Sequence, residues 1–174
     1  GGPLATDYNT ALGVAKATGF PHVVRYTMNT QQQLDSGRSV NRQAVAEGLP
    51  TALLEMGQNG SRRPADVDVI VRGMRNALAY LGVEATPVAD TPKPQYFEGT
   101  QSVPASFSGL WTPTRAGGPV KKGELLGTIR DYSGKTVETL SAPVAGVGIY
   151  GLAGPPVRNG DSVMTIAIPG DIEN

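Results

Sequence analysis

The segment Leu53-Leu-Glu-Met-Gly-Gln58 is the part of this 174-residue chain best suited to chemistry. It sets one carboxylate, Glu55, at the end of an apolar run and follows it with glycine and the polar loop Gln58-Asn-Gly-Ser-Arg-Arg63. In an open α/β sheet the ligand crevice lies beyond the carboxyl ends of the strands, where such a loop sits. A glutamate partly desolvated there holds a proton more readily, and can take one from an activated water and return it to a leaving amine. The competing reading is a structural glutamate paired to Arg62 or Arg63.

Much other chemistry is excluded by counting. The chain has no Cys, which removes disulfides, thiolate metal sites and a cysteine nucleophile, and fits a reducing compartment. It has one His, His22, so a site built on two or three imidazoles cannot come from this polypeptide alone. His22, in Phe20-Pro-His22, opens a strand and matches no ligand position. Fifteen basic and fifteen acidic residues cancel, and without a basic run neither nucleic acid nor an anionic membrane is an expected partner. No apolar run approaches the roughly 18–20 residues of a membrane span, and Gly1–Thr10 lacks a leader pattern, so a soluble, cytoplasmic protein is expected.

The elements that would hold Glu55 alternate between helix and strand. Asp7 is a cap for a helix with Tyr8, Ala11, Leu12 and Ala15 on one face, stopped by Gly19. His22–Met28 reads as a strand, Ser39 caps a helix through Ala46 that ends at Gly48, and Thr51–Met56 reads as a strand covered on both faces. Ser61 or Asp66 starts the longest helix, whose Val67, Ile70, Val71, Met74, Leu78 and Leu81 form one apolar stripe ending at Gly82. This order implies residues 1–83 form a mainly parallel α/β sheet with flanking helices. Two strands are too few for one. The unit is therefore expected to be the later part of an α/β domain, with an open edge that invites self-association or a further segment.

Pro87, Pro92 and Pro94 mark residues 84–96 as a connector. From 97 to 174 short β-prone runs alternate with Gly and Pro, and no helical period appears, so an all-β domain follows. It is duplicated. An offset of 37 lays Val103–Ile129 over Leu140–Ile166 with nine identities, among them Gly109/Gly146, Pro119/Pro156, Val120/Val157 and Gly123/Gly160. Such a repeat resembles the barrel-sandwich hybrid of biotinyl and lipoyl carrier domains. On that likeness the central hairpin Asp131-Tyr-Ser-Gly-Lys135 would present Lys135 for attachment of a swinging arm. The flanking residues lack both the Met-Lys-Met and the Asp-Lys-Ala type of carrier motif, and a solvated turn lysine is the plainer account. Trp111, with Leu110 and Phe107, is expected in packing rather than at a ligand.

Taken in order, Pro50-Thr-Ala-Leu-Leu-Glu-Met-Gly57, Arg75-Asn-Ala-Leu-Ala-Tyr-Leu-Gly82, Ser108-Gly-Leu-Trp111, Val120-Lys-Lys-Gly-Glu-Leu-Leu-Gly127, Ala142-Pro-Val-Ala-Gly146 and Val157-Arg-Asn-Gly-Asp161 resemble the C-terminal portion of the succinylglutamate desuccinylase/aspartoacylase family. The resemblance covers nearly the whole chain. It implies a partial zinc-carboxypeptidase-like α/β domain followed by a β domain, and a deacylase acting on N-acyl amino acids or similar small amides. The position matching Glu55 is then the general base, working on a zinc-bound water. Substrates of that class carry a free carboxylate, for which Arg62, Arg63 and Arg42 are the candidates, since guanidinium meets carboxylate bidentately. The family's zinc ligands, a His-x-x-Glu motif and a later His, lie upstream of the stretch matched. Zinc is thus implied for the longer family proteins, and no metal ligand or activity is expected of this chain alone. A non-catalytic binding or carrier module, built on the β domain and Lys135, is the alternative.

Overall fold

Gly19, Gly48 and Gly82 each stop a helix where their spacing predicts. The computed structural model describes residues 8–27, 30–37, 39–85 and 91–173, which fall into two compact units, 1–95 and 96–174. In the first unit the elements are α1 (Tyr8–Ala17), β1 (His22–Arg25), α2 (Gln31–Asp35), α3 (Val40–Ala46) and α4 (Pro64–Tyr80). Gly82, at φ 72°, closes α4: its N–H donates to Ala79 O and that of Val83 to Leu78 O, which satisfies carbonyls the helix leaves free. Ser39 stands at the N-cap of α3 without a side-chain cap bond. The α4 N-cap is Arg63, followed by Pro64, and neither Ser61 nor Asp66; proline fits the first helical position because its missing N–H has no partner there anyway. The cap expected at Asp7 and the end of the first strand at Met28 lie outside the described residues.

Packing in this unit departs from the periodicity. The α4 face that is buried centres on Gly73 and Asn76. A side chain at Gly73 would meet Phe20 and Leu54, and one at Gly13 of α1 would collide with the Tyr80 hydroxyl, so small residues let α1, α4 and the chain around Leu54 approach closely. Of the stripe expected to face the core, Ile70 is half-buried and the rest is exposed, from 40% at Leu78 to 55% at Met74, with Val67, Val71 and Leu81 between. The Thr51–Met56 strand expectation also fails. That stretch belongs to no ladder, and Leu53 and Met56 are exposed rather than covered. The predicted parallel sheet is not built from these two segments, because an apolar run becomes a strand only when a neighbour takes up its N–H and C=O groups.

The second unit is all-β. It holds most of β2 (Gln95–Pro104) and all of β3 (Gly109–Pro113), β4 (Gly118–Val120), β5 (Leu125–Arg130), β6 (Thr136–Ser141), β7 (Gly146–Gly151), β8 (Pro156–Val157) and β9 (Ser162–Pro169). One sheet runs β2-β9-β7-β4 and the other β6-β5-β3-β8. The ladders within each are antiparallel, and the duplication is visible in their register. Trp111 faces Ile129 as Gly148 faces Ile166, Thr128 faces Thr139 as Thr165 faces Ser102, and Gly109 faces Val157 as Gly146 faces Val120. In these three couples each pair maps onto its counterpart by the offset of 37 read from the sequence. Each sheet draws strands from both copies.

The core of this unit contains Trp111, Leu126, Ile129, Val163, Met164 and Ile166, with Val120 and Val157 at equivalent places. Phe107 does not join it and is about half exposed, contrary to the expected cluster with Trp111. Turns repeat as well. The Glu124 carboxylate accepts from Lys121 N–H at 2.9 Å, and Asp161 from Arg158 N–H at 2.8 Å. Gly123 N–H donates to Ala142 O, and Gly160 N–H to Ala105 O, tying each turn to the other copy.

Candidate functional site

Glu55 stands at the end of the Thr51–Met56 segment and is exposed, not sunk into an apolar crevice. The chain after it folds back at once. Gly57, at φ 92°, makes the turn. Ser61 Oγ accepts from Gln58 N–H at 3.3 Å while Ser61 N–H donates to Gln58 O at 2.6 Å. A side chain at Gly57 would touch Asp66 and Ser61, so this loop lies against the first turn of α4. The structure therefore brings the stretch that follows Glu55 to a helix N-terminus, where backbone N–H groups point outward and favour negative charge.

The two adjacent arginines are not equivalent. Arg63 is committed: its Nε donates to Asp66 Oδ2 at 2.8 Å and its Nη2 to Asp66 Oδ1 at 3.1 Å, a bidentate pair across the start of α4. Asp66 is the partner that sequence reasoning overlooked, although Arg63-Pro-Ala-Asp66 carries the signal, since residues three apart are neighbours on a helix surface. Arg62 is exposed and precedes the N-cap. Arg42 is exposed on α3, with its aliphatic stem over Gly37. An open depression of about 520 Å³ lies along α2 and α3, lined by Asp35, Gly37, Val40 and Gln43 among others, and takes in none of Glu55, Arg62, Arg63 or Arg42.

His22 is exposed at the first position of β1. Among the described residues no group of three or more His, Cys, Asp or Glu could hold a metal ion, so the residues present do not fit a zinc centre. No helix among them is long and apolar enough to cross a membrane.

In the β unit, Asp131 organises the β5–β6 hairpin. Its carboxylate accepts from Ser133 Oγ at 2.6 Å, Ser133 N–H at 2.9 Å and Lys135 N–H at 3.0 Å. Chiefly the Ser133 hydroxyl, and then the two backbone amides and the Lys135 charge, hold the Asp131 carboxyl below the usual aspartate range. Lys135 and Tyr132 project from this rigid turn and are exposed.

No protein-family model and no curated protein matches the sequence. Solved structures do. The product-bound ectoine utilization protein EutE (DoeB) from Ruegeria pomeroyi superposes with a TM-score of 0.80 at 20% identity, over 92% of this chain and 49% of that one. A succinylglutamate desuccinylase/aspartoacylase from Rhodobacter sphaeroides gives 0.78 at 24% identity, over 97% and 52%. A succinylglutamate desuccinylase from Silicibacter sp. TM1040 gives 0.78 at 18%, over 93% and 49%. The chain thus has the fold found in about half of each of these proteins, and it spans about half of their length.

Proposed function

We propose that this chain is the C-terminal portion of a deacylase of the succinylglutamate desuccinylase/aspartoacylase family, cleaving the amide bond of an N-acyl amino acid or similar small amide. The observation that carries the reading is the likeness of nearly the whole chain to one half of such proteins, with Glu55 at the end of the segment leading into α4. Glu55 acts as general base: it takes a proton from the attacking water and returns it to the leaving amine. Its exposure in this chain accords with a crevice whose other wall is not part of the chain. Arg62 is the better candidate for the substrate carboxylate, because Arg63 already spends its fork on Asp66. Arg42 is the third candidate.

Zinc belongs to this reading through the family, where it polarises water and the amide carbonyl. Among the described residues no donor set fits it, so this reading takes the zinc ligands from a stretch outside them. The β unit is proposed to be a barrel-sandwich hybrid, with 84–96 as the connector before it. A cytoplasmic location goes with the absence of cysteine. The test is to extend the expressed polypeptide upstream and assay hydrolysis of N-acyl amino acids. Glu55→Gln should then lower kcat by about 100-fold or more while bound zinc stays at the unsubstituted level. Turnover retained in that variant removes Glu55 as base.

One observation favours a second reading. Lys135 ends a turn fixed by three hydrogen bonds to Asp131, at the joint between the two copies, where an attached group would swing clear of the sheets. In a carrier module, intact mass of protein from its native cell would show an adduct at Lys135. An unmodified mass returns the lysine to an ordinary turn residue.

A further inference from the structure

The chain contains the dipeptide Asn-Gly twice, at Asn59-Gly60 after the Glu55 segment and at Asn159-Gly160 in the second copy of the β repeat. An asparagine followed by glycine is open to attack by the next backbone nitrogen on its side-chain carboxamide, because glycine has no Cβ to obstruct the ring that forms. All four residues are exposed, so water reaches both places. What differs is how they are held. At the second site Asn159 Nδ2 donates to Ser106 O at 2.8 Å, the Asn159 N–H to Ser108 Oγ at 3.0 Å and the Gly160 N–H to Ala105 O at 2.8 Å. The group that would be attacked and the nitrogen that would attack are both tied to the chain between β2 and β3. At the first site the turn Gln58–Ser61 is closed by the Ser61 N–H donating to Gln58 O at 2.6 Å, with Asn59 at φ 37° and Gly60 at φ 75°. That bond bypasses both central residues, as in a type I′ turn. Among the described residues nothing takes up the Gly60 N–H or the Asn59 carboxamide, and a side chain at Gly60 would meet open space.

We propose that Asn59 is a site of spontaneous covalent modification: its carboxamide is converted, through a cyclic imide with Gly60, into aspartate and isoaspartate, while Asn159 is preserved by its hydrogen bonds. The Gly60 nitrogen, having given its proton to hydroxide or a buffer base, attacks Asn59 Cγ. The new C–N bond closes a five-membered ring as the Cγ–Nδ2 bond breaks, and the side-chain nitrogen takes up a proton and leaves as ammonia. Water then opens the ring at one of its two carbonyls. Opening at the side-chain carbonyl leaves aspartate, and opening at the main-chain carbonyl leaves isoaspartate, in which the backbone runs through Cγ. Ammonia is lost, water is gained, and nothing is oxidised or reduced. Either product adds one negative charge to a chain of formally zero net charge, two residues after the turn begins and directly ahead of Ser61, Arg62 and Arg63. Isoaspartate also inserts a main-chain atom between Gln58 and Ser61, so the bond that closes the turn cannot keep its geometry. The modification concerns the loop itself and does not rest on the proposed activity.

Ageing the intact chain in mildly alkaline buffer, followed by digestion and mass spectrometry of the peptides, tests this. The Asn59 peptide should gain about 1 Da and split into two chromatographic products, one of them a substrate for isoaspartyl methyltransferase. The Asn159 peptide should convert at least about tenfold more slowly, since its hydrogen bonds have to open before the ring can close. In denaturant the two rates should come within about threefold of each other, because the dipeptide is the same. Equal rates in the folded chain overturn the proposal, as does an Asn59 peptide that stays unconverted over a time in which denatured chain converts. Conversion to aspartate without isoaspartate overturns it too, because direct hydrolysis of the carboxamide passes through no imide. Hydrolysis of N-acyl amino acids is read in a separate assay, so the loss of the deacylase reading would leave this proposal standing, and the reverse.

Discussion

The two units solve the problem of burying apolar side chains with opposite success. In residues 96–174 Leu126, Ile129, Val163 and Ile166 are wholly buried, while in residues 1–95 the buried hydrophobics among the described residues are Ala17 and Val23. Composition does not account for the difference, since the first unit has the stripe on α4 and the run Thr51–Met56 to draw on. Strand pairing accounts for it. The β unit contains two copies of one pattern, and both copies supply strands to each of its sheets. In the first unit Val67, Val71, Met74, Leu78 and Leu81 of α4 and its C-cap are exposed, as are Leu53 and Met56.

The strongest break of this comparison is truncation in the two regions. Ile166→Ala should destabilise the β unit by about 2–5 kcal/mol, whereas Leu78→Ala on the exposed stripe should change stability by no more than about 0.5 kcal/mol. Trp111, the one tryptophan, lies in the β core, so its fluorescence during urea unfolding follows that unit, while helical circular dichroism follows α4 and the first unit. Equal losses at the two sites would mean that α4 is already covered.

A sharper test bears on the duplication. A side chain at Gly109 would strike the Arg130 carbonyl and Ile129, and one at Gly146 the Ala167 carbonyl and Ile166, the same collision in each copy. Gly109→Ala and Gly146→Ala should each cost about 1–3 kcal/mol, measured in the same way, and the two values should be similar. A large cost at one position beside none at the other would show that the halves are not mechanically equivalent.

The smallest expected effect concerns pH. Because the native Asp131 carboxyl is held below its unfolded range, its contribution to the hairpin is present above the unfolded value and is lost as pH falls through the lower native one. Amide shifts of Ser133 and Lys135 followed by NMR should therefore titrate with a midpoint below that of an ordinary aspartate. A midpoint at or above the ordinary aspartate value would mean that the Ser133 hydroxyl does not hold that carboxylate in solution.

Much of this was legible beforehand. Gly19, Gly48 and Gly82 placed three helix ends, because a left-handed residue after the last turn is a local requirement. The offset of 37 recurs in the register of the β unit, and the order of motifs anticipated the fold shared with the desuccinylase/aspartoacylase structures. The errors were tertiary. Val67, Val71 and Met74 have a core period, yet periodicity states only that a face is apolar and not that anything covers it. Thr51–Met56 has the composition of a buried strand, but a ladder requires a second backbone. At the candidate site, Arg62 and Arg63 were indistinguishable by type, and the bidentate pair with Asp66 is what separated them.

From its residues alone the chain settled the local matters: where helices stop, which segments repeat, and that neither thiols nor a set of imidazoles could do its chemistry, for these depend on neighbours along the backbone and on counting. Which apolar faces meet, which arginine is already paired and whether Glu55 is enclosed were decided only in three dimensions. Each depends on groups far apart in sequence arriving at the same place, and burial is a property of what surrounds a side chain rather than of the side chain itself.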